Sequence, residues 1–131
     1  MSATRRPSIS THVLDIEHGE PAEGVPVTLS RWDGNRLARL AEAETNQDGR
    51  IADLLGEPLE IGTYQLAFDI AVYFRELDGD VPFLSRVAID FEILDSDRHY
   101  HIPLLLSRYA CSSYRGIYRG LTGSQSCCAF R

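Results

Sequence analysis

Two histidines flank a tyrosine in the stretch HYHIPLLLS, residues 99 to 107, and they are the side chains best suited to chemistry. Residues two apart in a β-strand point to the same face, so His99 and His101 share one face and Tyr100 and Ile102 the other. An imidazole, with an ordinary pKa of about 6.5, can transfer protons or bind metal near neutral pH. Three interpretations are open: a structural pair, a metal site and a catalytic base. Metal is the least favoured, because no third ligand is evident.

Other polar residues could contribute to a site, although each one alone is unremarkable. His12 lies in the short alternating stretch STHVLDI, and Arg50 follows the turn residues Asp48 and Gly49. Near the end, Tyr114-Arg115-Gly116 is repeated as Tyr118-Arg119-Gly120. Such a pattern is typical of an edge strand whose cationic side chains discourage pairing with other chains. By themselves these residues predict surface positions.

The composition limits the classes of function. The chain has 131 residues, of which 44% are hydrophobic and 24% charged, values typical of one globular domain. A net charge of −6 disfavours binding to nucleic acid or to an anionic membrane. We therefore expect a small molecule or another protein as the partner.

The start of the chain and its cysteines indicate a soluble, cytoplasmic protein. MSATRRPSIS contains arginines but no apolar segment, and nowhere do about 18 apolar residues run together. Cys111, Cys127 and Cys128 form an odd set without C-x-x-C spacing, and adjacent cysteines bridge only with strain. A disulfide framework is therefore not expected.

The dominant hydrophobic period is two, which predicts strands with one buried face. The alternating apolar positions fall into three groups: Val25, Val27 and Leu29; Tyr64, Leu66, Phe68 and Ile70; and Val87, Ile89, Phe91 and Ile93. Turn-forming clusters such as Asn46–Gly49 and Asp78–Asp80 separate such runs. This spacing predicts an antiparallel β-sandwich.

Two stretches depart from this simple pattern. RLARLAEAET, residues 36 to 45, fits a helix as well as a strand, and we predict a strand because short turns bracket it. IAVYFREL, residues 70 to 77, is predicted to begin as the end of a strand and to finish as about two turns of helix before Asp78 and Gly79. The expectation is a single short helix among eight strands.

Taken in order, the motifs resemble the 5-hydroxyisourate hydrolases, the enzymatic branch of the transthyretin-like family. STHVLD, NQDGRI, GTYQLAF followed by YF, HYHIPLLLS and SYRG carry the resemblance, which runs from about Ser10 to Gly116. HYHIPLLLS with a downstream YRG is the most specific part. The sequence GVPVTL, residues 24 to 29, is also similar to the family.

The resemblance implies a prealbumin-like sandwich of two four-stranded antiparallel sheets with one short helix. It also implies a homotetramer whose central channel carries the active sites. The implied reaction is hydrolytic opening of the six-membered ring of 5-hydroxyisourate, a step of urate degradation, with water as the second substrate and no cofactor.

The resemblance also assigns roles to particular residues. His12 and His101 match the family's catalytic histidines and would activate water and transfer protons, without indicating which one is the base. Arg50 would orient the substrate and stabilise an oxyanion, and His99 would support His101. Tyr114, Arg115 and Gly116 match the family's C-terminal motif and would bind substrate at the channel wall.

The C-terminus departs from the family pattern. Family members typically end in Tyr-Arg-Gly-Ser, whereas here Ile117 replaces the serine and the chain continues to Arg131. We therefore divide the chain into a flexible N-terminus (1–8), a transthyretin-like sandwich (9–117) and a loosely ordered extension (118–131). The ending CAFR has the form of a prenylation box but an unusual last residue.

Two other functions compete with the hydrolase. A non-enzymatic carrier like transthyretin would share the sandwich, but it lacks the family's histidines and Tyr-Arg-Gly. An interaction module of immunoglobulin-like architecture would leave His12, Arg50 and His101 far apart on the surface. Bringing these three residues together would therefore favour the enzyme.

Overall fold

The computed structural model describes residues 7–116, and within them two β-sheets pack around one core. The larger sheet contains six short strands: β1 (Ile9–Asp15), β2 (Glu20–Pro21), β5 (Arg50–Ile51), β8 (Tyr100–His101), β9 (Leu104–Leu106) and β10 (Cys111–Ser113). The other sheet contains β3 (Pro26–Asp33), β4 (Arg36–Glu44), β6 (Gly62–Asp69) and β7 (Arg86–Ile93) in the order β4-β3-β6-β7. The predicted sandwich is confirmed, including a strand for the ambiguous residues 36–44. The described residues form ten strands, six in one sheet and four in the other, and not the expected eight in two sheets of four.

The core is filled by the alternating apolar residues that the period of two predicted. Leu29, Tyr64, Phe68, Ile93 and Leu104 are almost completely buried. Removing such side chains from water supplies most of the free energy that holds the two sheets together. Within HYHIPLLLS, the predicted inward face is correct: Tyr100, Ile102, Leu104 and Leu106 are all buried.

The larger sheet differs from the prediction in strand direction. β1 pairs in parallel with both β8 and β9, whereas the sequence predicted two wholly antiparallel sheets. Parallel neighbours need a long connection, and nearly the whole domain lies between β1 and β8. HYHIPLLLS is also two strands rather than one, broken at Ile102 and Pro103, where proline cannot donate a ladder hydrogen bond.

The one helix among the described residues, α1 (Ile70–Asp78), follows β6 without a loop. The Asp69 side chain accepts a hydrogen bond from the Val72 backbone N–H and caps the start of the helix. Gly79, at φ 84°, caps its end through an N–H bond to the Arg75 carbonyl. The helix ends at Asp78, one residue later than predicted, and Ile70 belongs to the helix and not to the preceding strand.

The ends of the chain carry several expectations that the structure does not address. Ile117, the second Tyr-Arg-Gly, the extension 118–131, Cys127 and Cys128 lie outside the described residues, as do residues 1–6. Ser8, placed in the flexible N-terminus by the sequence, is buried, and its carbonyl accepts a hydrogen bond from the Tyr100 N–H. In the span 7–116, no helix is long and apolar enough to cross a membrane.

Candidate functional site

His12 and Arg50 lie directly opposite each other on neighbouring strands. β1 and β5 are antiparallel, and their register pairs His12 with Arg50. Opposed residues of an antiparallel pair project to the same face of the sheet, with Cβ atoms about 5 Å apart. The imidazole and the guanidinium therefore share one face of the larger sheet.

The turn before Arg50 holds it in this register. The Asn46 side-chain oxygen accepts hydrogen bonds from the backbone N–H groups of Asp48 and Arg50. Gly49, at φ 75°, donates its N–H to the Asn46 carbonyl, and its own carbonyl accepts from the Val13 N–H at 2.7 Å. A Cβ at position 49 would lie 2.5 Å from the Val13 carbonyl oxygen, so only glycine allows the turn to pack this closely on β1.

His101 reaches the same face from the opposite side of β1. β8 is parallel to β1, and its register pairs His101 with Ser10, two residues before His12. Because residues two apart share a face, Ser10, His12, His101 and Arg50 all project from one face of the sheet. The structure thus brings together His12, Arg50 and His101, which are far apart in the sequence.

Gly116 packs directly against His101. The Gly116 N–H donates to the His101 carbonyl at 2.8 Å. A Cβ at position 116 would lie 2.6 Å from Cδ2 of the His101 ring, closer than nonbonded carbon atoms can approach. The glycine of the Tyr-Arg-Gly motif therefore makes room for the imidazole.

Tyr114 and Arg115 line a cavity next to His101. The cavity has a volume of about 310 Å³, and its lining includes Phe91, Glu92, His101, Tyr114 and Arg115. The guanidinium carbon of Arg115 lies 4.8 Å from the centre of the Tyr100 ring, a cation–π contact. His12 and Arg50 are not among the lining residues. His101 therefore borders both this cavity and the face of the sheet that carries His12 and Arg50.

Both imidazoles are biased toward the neutral form. Burial lowers the pKa of His101 to about 4, and the neighbouring His99, Arg50 and His12 also act against a positive charge on the ring. Burial and the adjacent Arg50 also lower the pKa of His12, against an opposing effect of Asp48. Near pH 7 the face thus presents two neutral imidazoles, which can accept protons, beside a guanidinium that stays charged.

Serines complete the surroundings of His101, and the sequence did not single them out. Ser10 Oγ lies 2.7 Å from His101 Nδ1 and 2.8 Å from His99 Nε2, and Ser8 Oγ lies 3.0 Å from His99 Nδ1. The spacing of Ser8, Ser10 and His12 at every second residue was the available signal, since it places all three on one face. Among residues 7–116, no group of three or more His, Cys, Asp or Glu side chains could hold a metal ion.

Comparison with known proteins gives a consistent set of relatives. The model of the HIUase/Transthyretin family matches residues 9–116. A 5-hydroxyisourate hydrolase from Caulobacter vibrioides is 45% identical over 111 residues, which cover 82% of this chain and 96% of the relative.

Solved structures show the same relationship. The structure of Klebsiella pneumoniae 5-hydroxyisourate hydrolase superposes with a TM-score of 0.76 at 40% identity, covering 85% of this chain and 99% of that one. Transthyretin from Sparus aurata superposes with a TM-score of 0.77 at 26% identity, covering 84% of this chain and 97% of that one. The fold is shared with both proteins, and the sequence is closer to the hydrolases.

Proposed function

The chain belongs to the HIUase/Transthyretin family, and from this premise we propose that it is a 5-hydroxyisourate hydrolase. The observation that carries the proposal is the convergence of His12, Arg50 and His101 on one face of the larger sheet. Hydrolases of this name at 39–45% identity support it. A carrier function is less well supported, because the transthyretin of Sparus aurata is only 26% identical.

The proposed reaction is attack of water on a ring carbonyl of 5-hydroxyisourate. Water gives up one proton to an imidazole, its oxygen bonds to the carbonyl carbon, and the carbonyl oxygen becomes an oxyanion. When the oxyanion collapses, the carbon–nitrogen bond breaks and the leaving nitrogen takes the proton back. The new carboxylic acid releases its proton to solvent, which gives the carboxylate 2-oxo-4-hydroxy-4-carboxy-5-ureidoimidazoline.

The side chains at the site match the needs of these steps. His12 and His101 are held neutral, so either can accept the proton of water. Arg50 keeps its charge and would donate hydrogen bonds to the carbonyl-rich substrate and to the oxyanion. Tyr114 and Arg115, which line the cavity, and Gly116, which packs against His101, would contact the substrate.

We also propose that the protein is a homotetramer with the site in a channel between subunits. Support comes from the strand order, because β7 and β10 are the last strands of their sheets in the described chain and leave edges open for pairing. Sedimentation velocity would reveal a species of four times the 14.7 kDa chain mass. A cytoplasmic location stays a prediction, which cell fractionation would check.

The proposed activity is tested by following the ultraviolet absorbance of freshly generated 5-hydroxyisourate. We expect the purified protein to accelerate its decay and His101→Ala to lower kcat/KM by on the order of 10³-fold, since a general base contributes 10² to 10⁴. His18→Asn is the control, because His18 lies in the turn after β1, where it pairs with Asp15, and is not one of the proposed site residues.

Decay at the buffer rate with the folded natural chain would contradict the proposed activity. Equal losses in His101→Ala and His18→Asn would contradict the assignment of the site. Both variants should be compared after their thermal unfolding has been measured, so that loss of fold is separated from loss of chemistry.

A further inference from the structure

Four polar side chains form a continuous hydrogen-bonded chain that ends at His101. His101 Nδ1 lies 2.7 Å from Ser10 Oγ, and Ser10 Oγ lies 2.8 Å from His99 Nε2. His99 Nδ1 in turn lies 3.0 Å from Ser8 Oγ, whose hydroxyl donates to the Ala52 carbonyl at 3.4 Å. Ser8 and Ser10 are buried, and His99 and His101 are partly buried.

The carbonyl at one end sets the direction of every bond in this chain. A carbonyl oxygen can only accept, so the single hydroxyl proton of Ser8 is used on Ala52. Ser8 Oγ must then accept from His99, which places the His99 proton on Nδ1. A neutral imidazole carries one N–H, so His99 Nε2 accepts the hydroxyl proton of Ser10.

The position of the proton on His101 follows from the Ser10 hydroxyl in the same way. The Ser10 hydroxyl proton is used on His99, so Ser10 Oγ is an acceptor toward His101 Nδ1, which must carry the proton. The reverse direction would require Ser8 to donate to His99 and would leave the bond to Ala52 unmade. With both imidazoles neutral, the direction fixed by the Ala52 carbonyl therefore satisfies one more hydrogen bond than the reverse direction.

We infer that Ser10, backed by His99, is a positioning residue that holds His101 in the tautomer protonated on Nδ1, leaving Nε2 as the basic nitrogen. This inference rests on the proposed function where it makes Nε2 the acceptor of the water proton. It selects His101 rather than His12 as the general base. Burial above all lowers the pKa of His101, so the ring is neutral near pH 7 and has a free ring nitrogen that can accept a proton.

The chain also explains why the motif carries two histidines. A serine hydroxyl can donate to one imidazole and accept from another, so its orientation depends on having both partners. Without an acceptor at His99, the Ser10 hydroxyl could rotate and donate to His101 Nδ1. That rotation would move the His101 proton to Nε2 and remove the base.

The tautomer can be measured without any turnover. Protein labelled with ¹⁵N in its imidazoles would be studied at neutral pH by long-range ¹H–¹⁵N correlation, which shows which nitrogen carries the proton. The spectrum of His101 is assigned by its loss in His101→Gln. We expect the His101 proton on Nδ1 in the natural chain and on Nε2 in His99→Leu. In Ser10→Ala we expect a shift toward the Nε2–H form.

Two further variants make the result specific. Ser10→Thr keeps the hydroxyl and should restore the Nδ1–H tautomer. Ser112→Ala removes an exposed serine hydroxyl on β10 and should leave the His101 signals unchanged. A His101 proton on Nε2 in the natural chain would overturn the inference, as would an unchanged tautomer in both His99→Leu and Ser10→Ala.

Kinetics supply a second readout tied to the proposed reaction. Ser10→Ala should lower kcat by about tenfold to a hundredfold while KM changes by less than about threefold, since the base and not the binding groups is affected. Ser10→Thr should recover most of the loss. Unchanged kcat in Ser10→Ala would count against the inference.

The two readouts separate the inference from the proposed function. If the natural chain shows the Nδ1–H tautomer but no hydrolysis, the proposed function fails while the assignment of Ser10 stands. If hydrolysis is found with the proton on Nε2, the proposed function stands and the role of Ser10 is wrong.

Discussion

The His101 ring has room only because residue 116 is glycine, which has a hydrogen atom in place of a side chain. The missing Cβ of Gly116 lets the chain approach within bonding distance of the His101 carbonyl while its α-carbon lies beside the ring. The φ of Gly116 is not positive, so the demand for glycine here is one of space and not of backbone conformation. Any side chain at this position would have to displace the imidazole or the backbone of residues 114–116.

A Gly116→Ala variant tests this demand. The added Cβ would lie 2.6 Å from His101 Cδ2, so the ring must move by a sizeable fraction of an ångström. Misplacement of a reacting group by about 1 Å can cost on the order of 10²-fold, and we expect kcat for 5-hydroxyisourate to fall by that order. The assay is the absorbance decay, with thermal unfolding measured beside it. Wild-type kcat in a well-folded variant would show that the ring adapts without loss.

At the scale of elements, helix α1 is tied to strand β1 by a buried carboxylate. Asp15, at the end of β1, accepts hydrogen bonds from the Tyr73 hydroxyl at 2.7 Å and from His18 Nδ1 at 2.8 Å. Burial by itself raises the pKa of Asp15, but the bonds from Tyr73 and His18 outweigh burial and lower it overall. The ionised carboxylate therefore links the helix to the strand that carries Ser10 and His12.

Tyr73→Phe should destabilise the fold by removing one donor from this buried carboxylate. Loss of a hydrogen bond to a buried charged group costs about 1–3 kcal/mol, and we expect the free energy of unfolding in urea to fall by that amount. Tyr109→Phe is the matched control, because Tyr109 is 75% exposed, and its hydroxyl should matter by less than about 0.5 kcal/mol. Equal changes in the two variants would show that the Asp15 contact contributes no specific stability.

At the scale of the whole molecule, the site lies where the two ends of the family domain meet. Strand β1, near the start of the described chain, runs beside β8, and the described chain ends at Gly116 against His101. In the sequence, fifteen residues, Ile117 to Arg131, follow Gly116, whereas the hydrolases that the chain resembles typically have one serine there.

A chain ending at Gly116 plus one serine, compared with the natural chain, tests the effect of this extension. We expect the shortened chain to have the higher kcat/KM, because access to the site would be open and a hydroxyl would stand next to Gly116. Sedimentation velocity of both chains would check that their assembly is the same. Equal kcat/KM for the two chains would show that the extension leaves the site unobstructed.

Much of the fold follows from local patterns in the sequence. Alternation of apolar residues predicted the strands and their buried faces, because a strand presents every second side chain to the same side. The turn at Asn46–Gly49 and the end of the helix before Gly79 could also be predicted, because turn-forming residues act on the backbone next to them. The motifs of the site could be recognised as well, because HYH and YRG are contiguous.

What only the tertiary structure decided is which strands lie side by side. The parallel pairing of β1 with β8, the pairing of His12 with Arg50, and the bond between Ser10 and His101 join residues far apart in the chain. A period of two assigns a side chain to a face but carries no information about the neighbouring strand or its register. Those choices depend on how all the apolar faces pack into one core, so the grouping of the site residues and the direction of its hydrogen bonds emerge only in the folded chain.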